Sequence, residues 1–218
     1  MCVLSLIRPY LKDIIFNGVI PFACIFLGAR LSSRIQQKTE EKREDESRYS
    51  DCVRIMLSLS TMYTVLINLQ EHIAPSKEVP DRHRCLLPFP NAFDYASINP
   101  NDLVRVINSP DGNDLLIYLL HAQTWLKSTL ETVNIRNQVH LEMQRTIVQA
   151  DENHVLIKPH LEIQLKTLTD ELYEQVDSSM KRVLFAANKF GNFASGLYPG
   201  KPVRQLERIN VAQMMENN

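Results

Sequence analysis

"CVRIMLSLSTMYTVLINLQEHI", residues 52–73, decides the fold. If this stretch crosses a bilayer, the chain spans twice and its C-terminal half lies on the far side. If it packs, it is the first helix of a water-facing bundle. Ile55, Leu59, Met62, Leu66, Leu69 and Ile73 recur at alternating steps of four and three, which is the spacing of a helix-packing seam. Ser58, Thr61, Thr64 and Asn68 lie towards another face. No charge occurs from Ile55 to Gln70, so a second span over 55–70 is the alternative. The polar stripe favours the bundle helix.

Upstream, residues 35–51, "IQQKTEEKREDESRYSD", are almost wholly polar and hold neither Pro nor Gly. Glu44 and Arg48 stand four apart and Glu40 and Arg43 three apart, as in a solvated helix. A charged helical stalk is expected over 34–51. The interleaved acids weaken a reading of this run as a basic patch for anionic lipid.

Before the stalk comes "IIFNGVIPFACIFLGARLSSR", residues 14–34. Ile14 to Ala29 carry no charge, and a helix of that length covers about 24 Å against roughly 30 Å of hydrocarbon. Leu11 and Leu31 extend the run, and Lys12 and Arg30 can snorkel from its ends. Asn17 and Pro21 are tolerated in membrane helices. The run is apolar on every face. Ile14, Ile15, Phe16, Val19, Ile20, Phe22, Ile25, Phe26 and Leu27 are the expected span, within an anchor over 1–33. A cleaved signal peptide needs small residues at alternate positions, yet Leu27 precedes Ala29 and Phe26 precedes Gly28 at that spacing. Arg30, Arg34, Lys38, Lys42, Arg43 and Arg48 follow the span, against Arg8 and Lys12 before it. Positive charge stays inside, so a single span is expected, with the short N-terminus outside and the bulk in the cytoplasm.

The chain of 218 residues suits one compact domain plus an anchor, and its net charge of −1 gives no global pull towards nucleic acid. Its six glycines are few enough to favour helices. Cys2, Cys24, Cys52 and Cys85 form no CxxC and read as reduced thiols.

Downstream, Pro75, Pro80, Pro88, Pro90, Pro100 and Pro110 punctuate a loop region over 75–110, with a short helix after Pro100 through "NDLVRVIN". Ser109-Pro110-Asp111 supplies a helix start. From about Asn113 to Gln149 nothing breaks the pattern, and Leu119, Ala122, Leu126, Leu130, Val133, Leu141 and Val148 can share a broad face. Pro159 opens another helix, where Leu161, Leu165, Leu168, Leu172, Val176, Met180, Val183 and Ala187 repeat at threes and fours until Gly191 ends it. Two long helices joined by "ADENHVLIK" should pair antiparallel. The expected fold is therefore all-α: a transmembrane helix, a charged stalk, a bundle over 52–190 and a basic, aromatic tail over 191–218.

In residues 181–208 the cations Lys181, Arg182, Lys189, Lys201, Arg204 and Arg208 meet only Glu207, with Phe185, Phe190, Phe193 and Tyr198 interleaved. Such a mixture can grip single-stranded nucleic acid or an interfacial lipid layer. The structural alternative places Phe185 near the helix seam and uses the cations to answer the helix dipole.

No reaction is legible. "DENH" offers Asp151, Glu152 and His154 with His160 nearby, and "DRHRC" sets His83 beside Cys85, but Arg82 and Arg84 repel a cation there. Both read as solvated loops. GxSxG fails at Phe193, and the P-loop spacing of Gly191 and Gly196 ends on Leu197 where Lys belongs. No catalytic residue, metal or cofactor is expected.

"LPFPNAFDYASINPNDLVRVINSPDGNDLLIYLLHAQTWLKSTLETVNIRN" resembles the middle of many uncharacterised bacterial membrane-anchored helical proteins, through Leu87-Pro88, Phe93, Asp102-Leu103, Tyr118 and Asn134. In build the chain is also similar to transmembrane effectors of retron-type anti-phage modules. That resemblance implies a non-enzymatic effector or accessory subunit that perturbs the membrane. Its implied partners are membrane lipid, a protein bound through the bundle, and a nucleoprotein complex of reverse transcriptase with its nucleic acid. A tethered scaffold without toxicity is the alternative, and a membrane-tethered enzyme a third. Gly18 and Gly28 could serve a homo-oligomer but stand ten apart and form no GxxxG.

Overall fold

The computed structural model describes residues 20–89, 97–107, 112–146, 148–151, 154–156 and 158–201, with side chains from residue 25 onward and outside 148–156. The chain divides into two compact units, 1–48 and 49–218. In order, the elements are α1 (Ile20–Ile73), a 3-10 turn (Ala74–Ser76), α2 (Arg82–Cys85), α3 (Pro100–Val106), α4 (Gly112–Thr146), β1 (Val148–Asp151), β2 (His154–Leu156) and α5 (Pro159–Leu197). The fold is thus helical, and among the described residues the antiparallel β1–β2 pairing is the one departure.

In the first unit every residue from 25 to 48 is exposed. Ile25, Phe26 and Leu27 of the expected span belong to this stretch. Ile20 and Phe22 lie within α1, while Ile14, Ile15, Phe16 and Val19 fall outside the described residues. Arg48 sits 3.9 Å from Glu44, the pairing the spacing predicts, though solvent leaves it worth only about 0.5 kcal/mol or less.

In the second unit the seam of 52–73 is realised. Ile55, Leu59, Met62, Leu66, Leu69 and Ile73 are all buried, whereas Thr64 and Asn68 face solvent. By length and composition α1 could cross a membrane. Arg30, Arg34 and Lys38 interrupt its described upstream part, so the apolar window lies downstream, where just over half of it is buried.

α4 and α5 pack as an antiparallel pair. Thr129 on α4 meets Ser179 on α5 through a buried hydroxyl contact of 2.8 Å, and further along α4 Arg136 meets Thr169, earlier on α5. α1 runs antiparallel to α5, since Tyr49 packs edge-on against Tyr198 and Tyr173 donates to the Ile73 carbonyl at 2.8 Å. Beyond Ile73 the α4–α5 pair continues without α1. There α2 and the Leu86–Phe89 segment take its place. Arg82 bonds Asp170 at 2.6 Å, and Arg84 bonds Glu162. Asn137 Nδ2 donates to the Phe89 carbonyl while its Oδ1 accepts from the Phe89 amide, both at 3.1 Å. A side-chain amide therefore stands in for a neighbouring strand and satisfies buried backbone groups.

α3 forms as the sequence suggests. The Asn99 side chain accepts from the Asn101 amide, and Pro100 occupies the first turn. Arg54 of α1 holds Asp102 of α3 at 3.0 Å. Gly112 permits a close approach at the start of α4, because a Cβ there would come 2.1 Å from Ile107 Cγ2.

Three element boundaries differ from expectation. α4 ends at Thr146, and the Val-containing connection forms β1 and β2 instead of a plain loop, as its β-favouring residues allow. α5 passes Gly191 and ends at Leu197. Gly191 is buried there, and the burial of Phe190 and Ala194 on the flanking turns outweighs a helix penalty of about 1 kcal/mol. The stop comes instead at Tyr198-Pro199-Gly200, with Gly200 at φ +92°. Leu141 is exposed and leaves the expected apolar face of α4.

Leu66 is fully buried and Leu57 is 64% exposed, on one helix. Leu66→Ala should cost about 2–5 kcal/mol in urea denaturation of the full chain, and Leu57→Ala less than about 0.5 kcal/mol. Equal effects would contradict the packed seam.

Candidate functional site

The seam of α4 runs through Leu126, Thr129 and Val133 to Arg136, His140 and Met143, so an arginine and a histidine occupy core positions. Arg136 is fully buried. Its Nε donates to Thr169 Oγ1 at 3.0 Å, and its Nη2 donates to the carbonyls of His83 and Leu86 at 3.2 and 2.6 Å. Thr169 donates its own hydroxyl hydrogen bond to the Leu165 carbonyl at 2.7 Å, which leaves its lone pairs for the guanidinium. No carboxylate neutralises Arg136 among these acceptors, and Nη1 has no hydrogen-bond partner among the described residues. Burial pulls its pKa down to about 10, so it stays cationic at neutral pH. The carbonyls it reaches close the C-terminal end of α2, where a cation is favoured.

His83 was expected in a solvated loop. It is instead buried in α2, because Arg136 and Glu162 draw this turn onto the α4–α5 pair. Its Nε2 lies 3.7 Å from Glu162 Oε1, and Arg84 binds the same carboxylate. The hydrogen bond from Arg84, with a smaller contribution from His83, holds the Glu162 carboxyl below its usual range. On α4, one turn after Arg136, buried His140 accepts from Gln144 through Nε2 at 3.0 Å. Burial first, and then the Arg136 charge, push the His140 pKa down.

Beside α2 an open cleft of about 380 Å³ is lined by Lys77, Arg82 and Lys166 against Glu78, Asp81 and Asp170, and by His83. Its charges balance. No serine, threonine or cysteine lines it, and no cluster of metal ligands occurs among the described residues. The arrangement can fix a loop and hold a charge pattern.

The cationic residues singled out in the sequence fall into two places. Lys181 pairs with Asp177 at 2.5 Å, Arg182 lies 4.3 Å over the Trp125 ring, and Lys189 lies 5.5 Å over Phe185. Tyr118 meets Phe185 edge-on at 5.0 Å. These side chains form one flank of α4–α5. Lys201 lies elsewhere, 4.6 Å over Tyr49 and 5.3 Å over Tyr198, and Arg204 falls outside the described residues. Phe185 is 46% exposed and sits off the seam, which Val183, Ala186 and Phe190 form. The rings of Trp125 and Tyr118 escape a linear reading because a different helix supplies them. Arg136 and His140 were detectable by carrying the three–four spacing past Val133.

No protein-family model matches the chain, and no curated protein or solved structure is significantly similar to it.

Two outcomes follow from this geometry. Arg136→Met leaves the His83 and Leu86 carbonyls without their donor, and amide exchange over 82–89 should accelerate about tenfold, the equivalent of one charge-assisted bond. Unchanged exchange there would show that the buried arginine does not hold this segment. His140 titrates near 6.5 when unfolded and lower in the fold. The folded chain therefore binds that proton less readily. Its contribution to stability is complete above that unfolded value and is lost as pH falls from there through the folded pKa. Denaturation midpoints measured across this window should fall with pH, and His140→Gln should flatten the decline.

Proposed function

We propose that the chain is a non-enzymatic protein of the bacterial inner membrane. The run over 14–29 is its lipid anchor, and its cytoplasmic helices bind a protein partner. The observation that supports this reading is the exposure of Ile25, Phe26, Leu27, Leu31 and Ile35, at 59–71%, on the helix that continues the uncharged run. Large apolar side chains on successive turns and several faces lack cover in water and find it in lipid. The seam of 52–73 is occupied within its own unit, which favours one span over two.

Within that reading, the resemblance in build supports a membrane effector or accessory subunit of a retron-like defence module. Partner binding to the bundle would alter the association of anchors and so perturb the bilayer. A tethered scaffold is the second reading. The buried Thr129–Ser179 and Arg136–Thr169 contacts favour it, since they fix one register and oppose rearrangement of the bundle.

Alkaline carbonate washing should leave the full chain in the membrane pellet, and Ile25→Arg with Leu27→Arg should release much of it. Release of the unaltered chain would contradict the anchor. Expression alone that leaks the membrane, relieved by the same pair, supports the effector. Growth without leakage supports the scaffold.

A further inference from the structure

We infer that the flank of α4–α5 built from Lys181, Arg182, Lys189, Trp125, Tyr118 and Phe185 docks on the anionic headgroups of a bilayer. The inference deepens the proposed function and relies on its membrane tether for proximity, while the chemistry of the surface stands on its own. No acidic residue occurs from Ser178 to Lys201, so on this half of α5 Asp177 alone answers a cation, Lys181, at 2.5 Å. Arg182 and Lys189 form no ion pair among the described residues. On α5, Lys181, Arg182, Phe185 and Lys189 fall within one arc of the helix and rise about 12 Å along it. Phe185 and Tyr118 are 46% and 38% exposed, and their mutual contact leaves an aromatic ridge between the cations.

The state of the rings selects the occupant. A single-stranded nucleic acid would stack its bases on open ring faces. Here the Arg182 guanidinium covers a face of Trp125, and Lys189 and the Tyr118 edge lie against Phe185. A headgroup layer asks for something different: phosphate-facing cations, and amphipathic rings at the boundary between polar and apolar zones. This flank supplies both. It lies towards the end of the second unit marked by the Tyr49–Tyr198 contact.

Trp125 is the sole tryptophan and reports on this surface directly. The full chain is reconstituted into vesicles of phosphatidylcholine alone, or of phosphatidylcholine with phosphatidylglycerol, each containing brominated acyl chains. Anionic vesicles should quench and blue-shift Trp125, zwitterionic ones should do so weakly, and added salt should reverse the effect. Each cation removed should weaken the response about fivefold, so Lys181→Gln with Arg182→Gln and Lys189→Gln should weaken it about a hundredfold. Arg145→Gln with Lys158→Gln, which removes exposed cations elsewhere, should leave it intact. Should the triple variant lose its helical circular dichroism, Lys189→Gln alone and the salt titration read the same contact. Equal quenching in both vesicle types, an unaltered response in the folded triple variant, or a Trp125 shift produced by a single-stranded oligonucleotide without lipid would overturn the inference. If carbonate strips the chain while the anionic response persists, the tether fails and this surface stands. If the chain resists carbonate but shows no anionic response, only the surface fails.

Discussion

The burial of one apolar seam carries the structure. Ile55, Leu59, Met62, Leu66, Leu69 and Ile73 leave water against α4 and α5. At about 1.5–3 kcal/mol for each large aliphatic side chain, the seam supplies on the order of 10 kcal/mol, comparable to the net stability of a whole domain. A bilayer would offer those side chains similar relief, but it would offer none to the buried Asp51 at the head of the seam or to the ion pairs of Arg54. Packing accommodates both kinds of residue along the same helix, with Arg54 and Arg105 answering Asp51 and Asp102.

Apolar burial alone would let the long helices slide past one another. Register comes from a few polar contacts inside the α4–α5 interface. A slip by one turn would separate Thr129 from Ser179 and Arg136 from Thr169, leaving buried polar atoms without partners. Arg136 serves a second purpose. Because α1 ends at Ile73, part of the α4–α5 pair would face water, and the guanidinium fastens α2 there by its backbone carbonyls. Asn137 and Gln123 do similar work at Phe89 and Ile98. Side chains of α4 thus hold the backbone of the proline-rich region at Phe89 and Ile98, beyond its short helices α2 and α3.

Much of the helical architecture was legible in the sequence because it is written in spacing. The four–three pattern over 55–73 and 161–187 is a direct consequence of helix geometry, and its residues are buried or half-buried in the fold. Gly191 misled because local propensity is a weak term beside the burial of Phe190 and Ala194. His83 misled for a different reason: the residues that bury it, Arg136 and Glu162, are distant in sequence and reveal nothing in a local window. The basic, aromatic flank was half legible. Lys181, Arg182 and Lys189 stand in one stretch, but Trp125 and Tyr118 join them only through the antiparallel pairing. The anchor, by contrast, was read from composition and charge alone, and its first part, 14–19, lies outside the described residues.

The central claim is that residues 52–73 belong to the bundle and do not cross the membrane, so that all following residues stay on the side of the stalk. Native Cys85 is exposed, and Glu41→Cys would place a second thiol in the exposed stalk, with Cys2 and Cys24 replaced by Ser. A membrane-impermeant maleimide applied to sealed vesicles of either orientation reads the side of each thiol. Labelling of both from the same face is the predicted result. Labelling from opposite faces would make 55–70 a second span and contradict the packed seam.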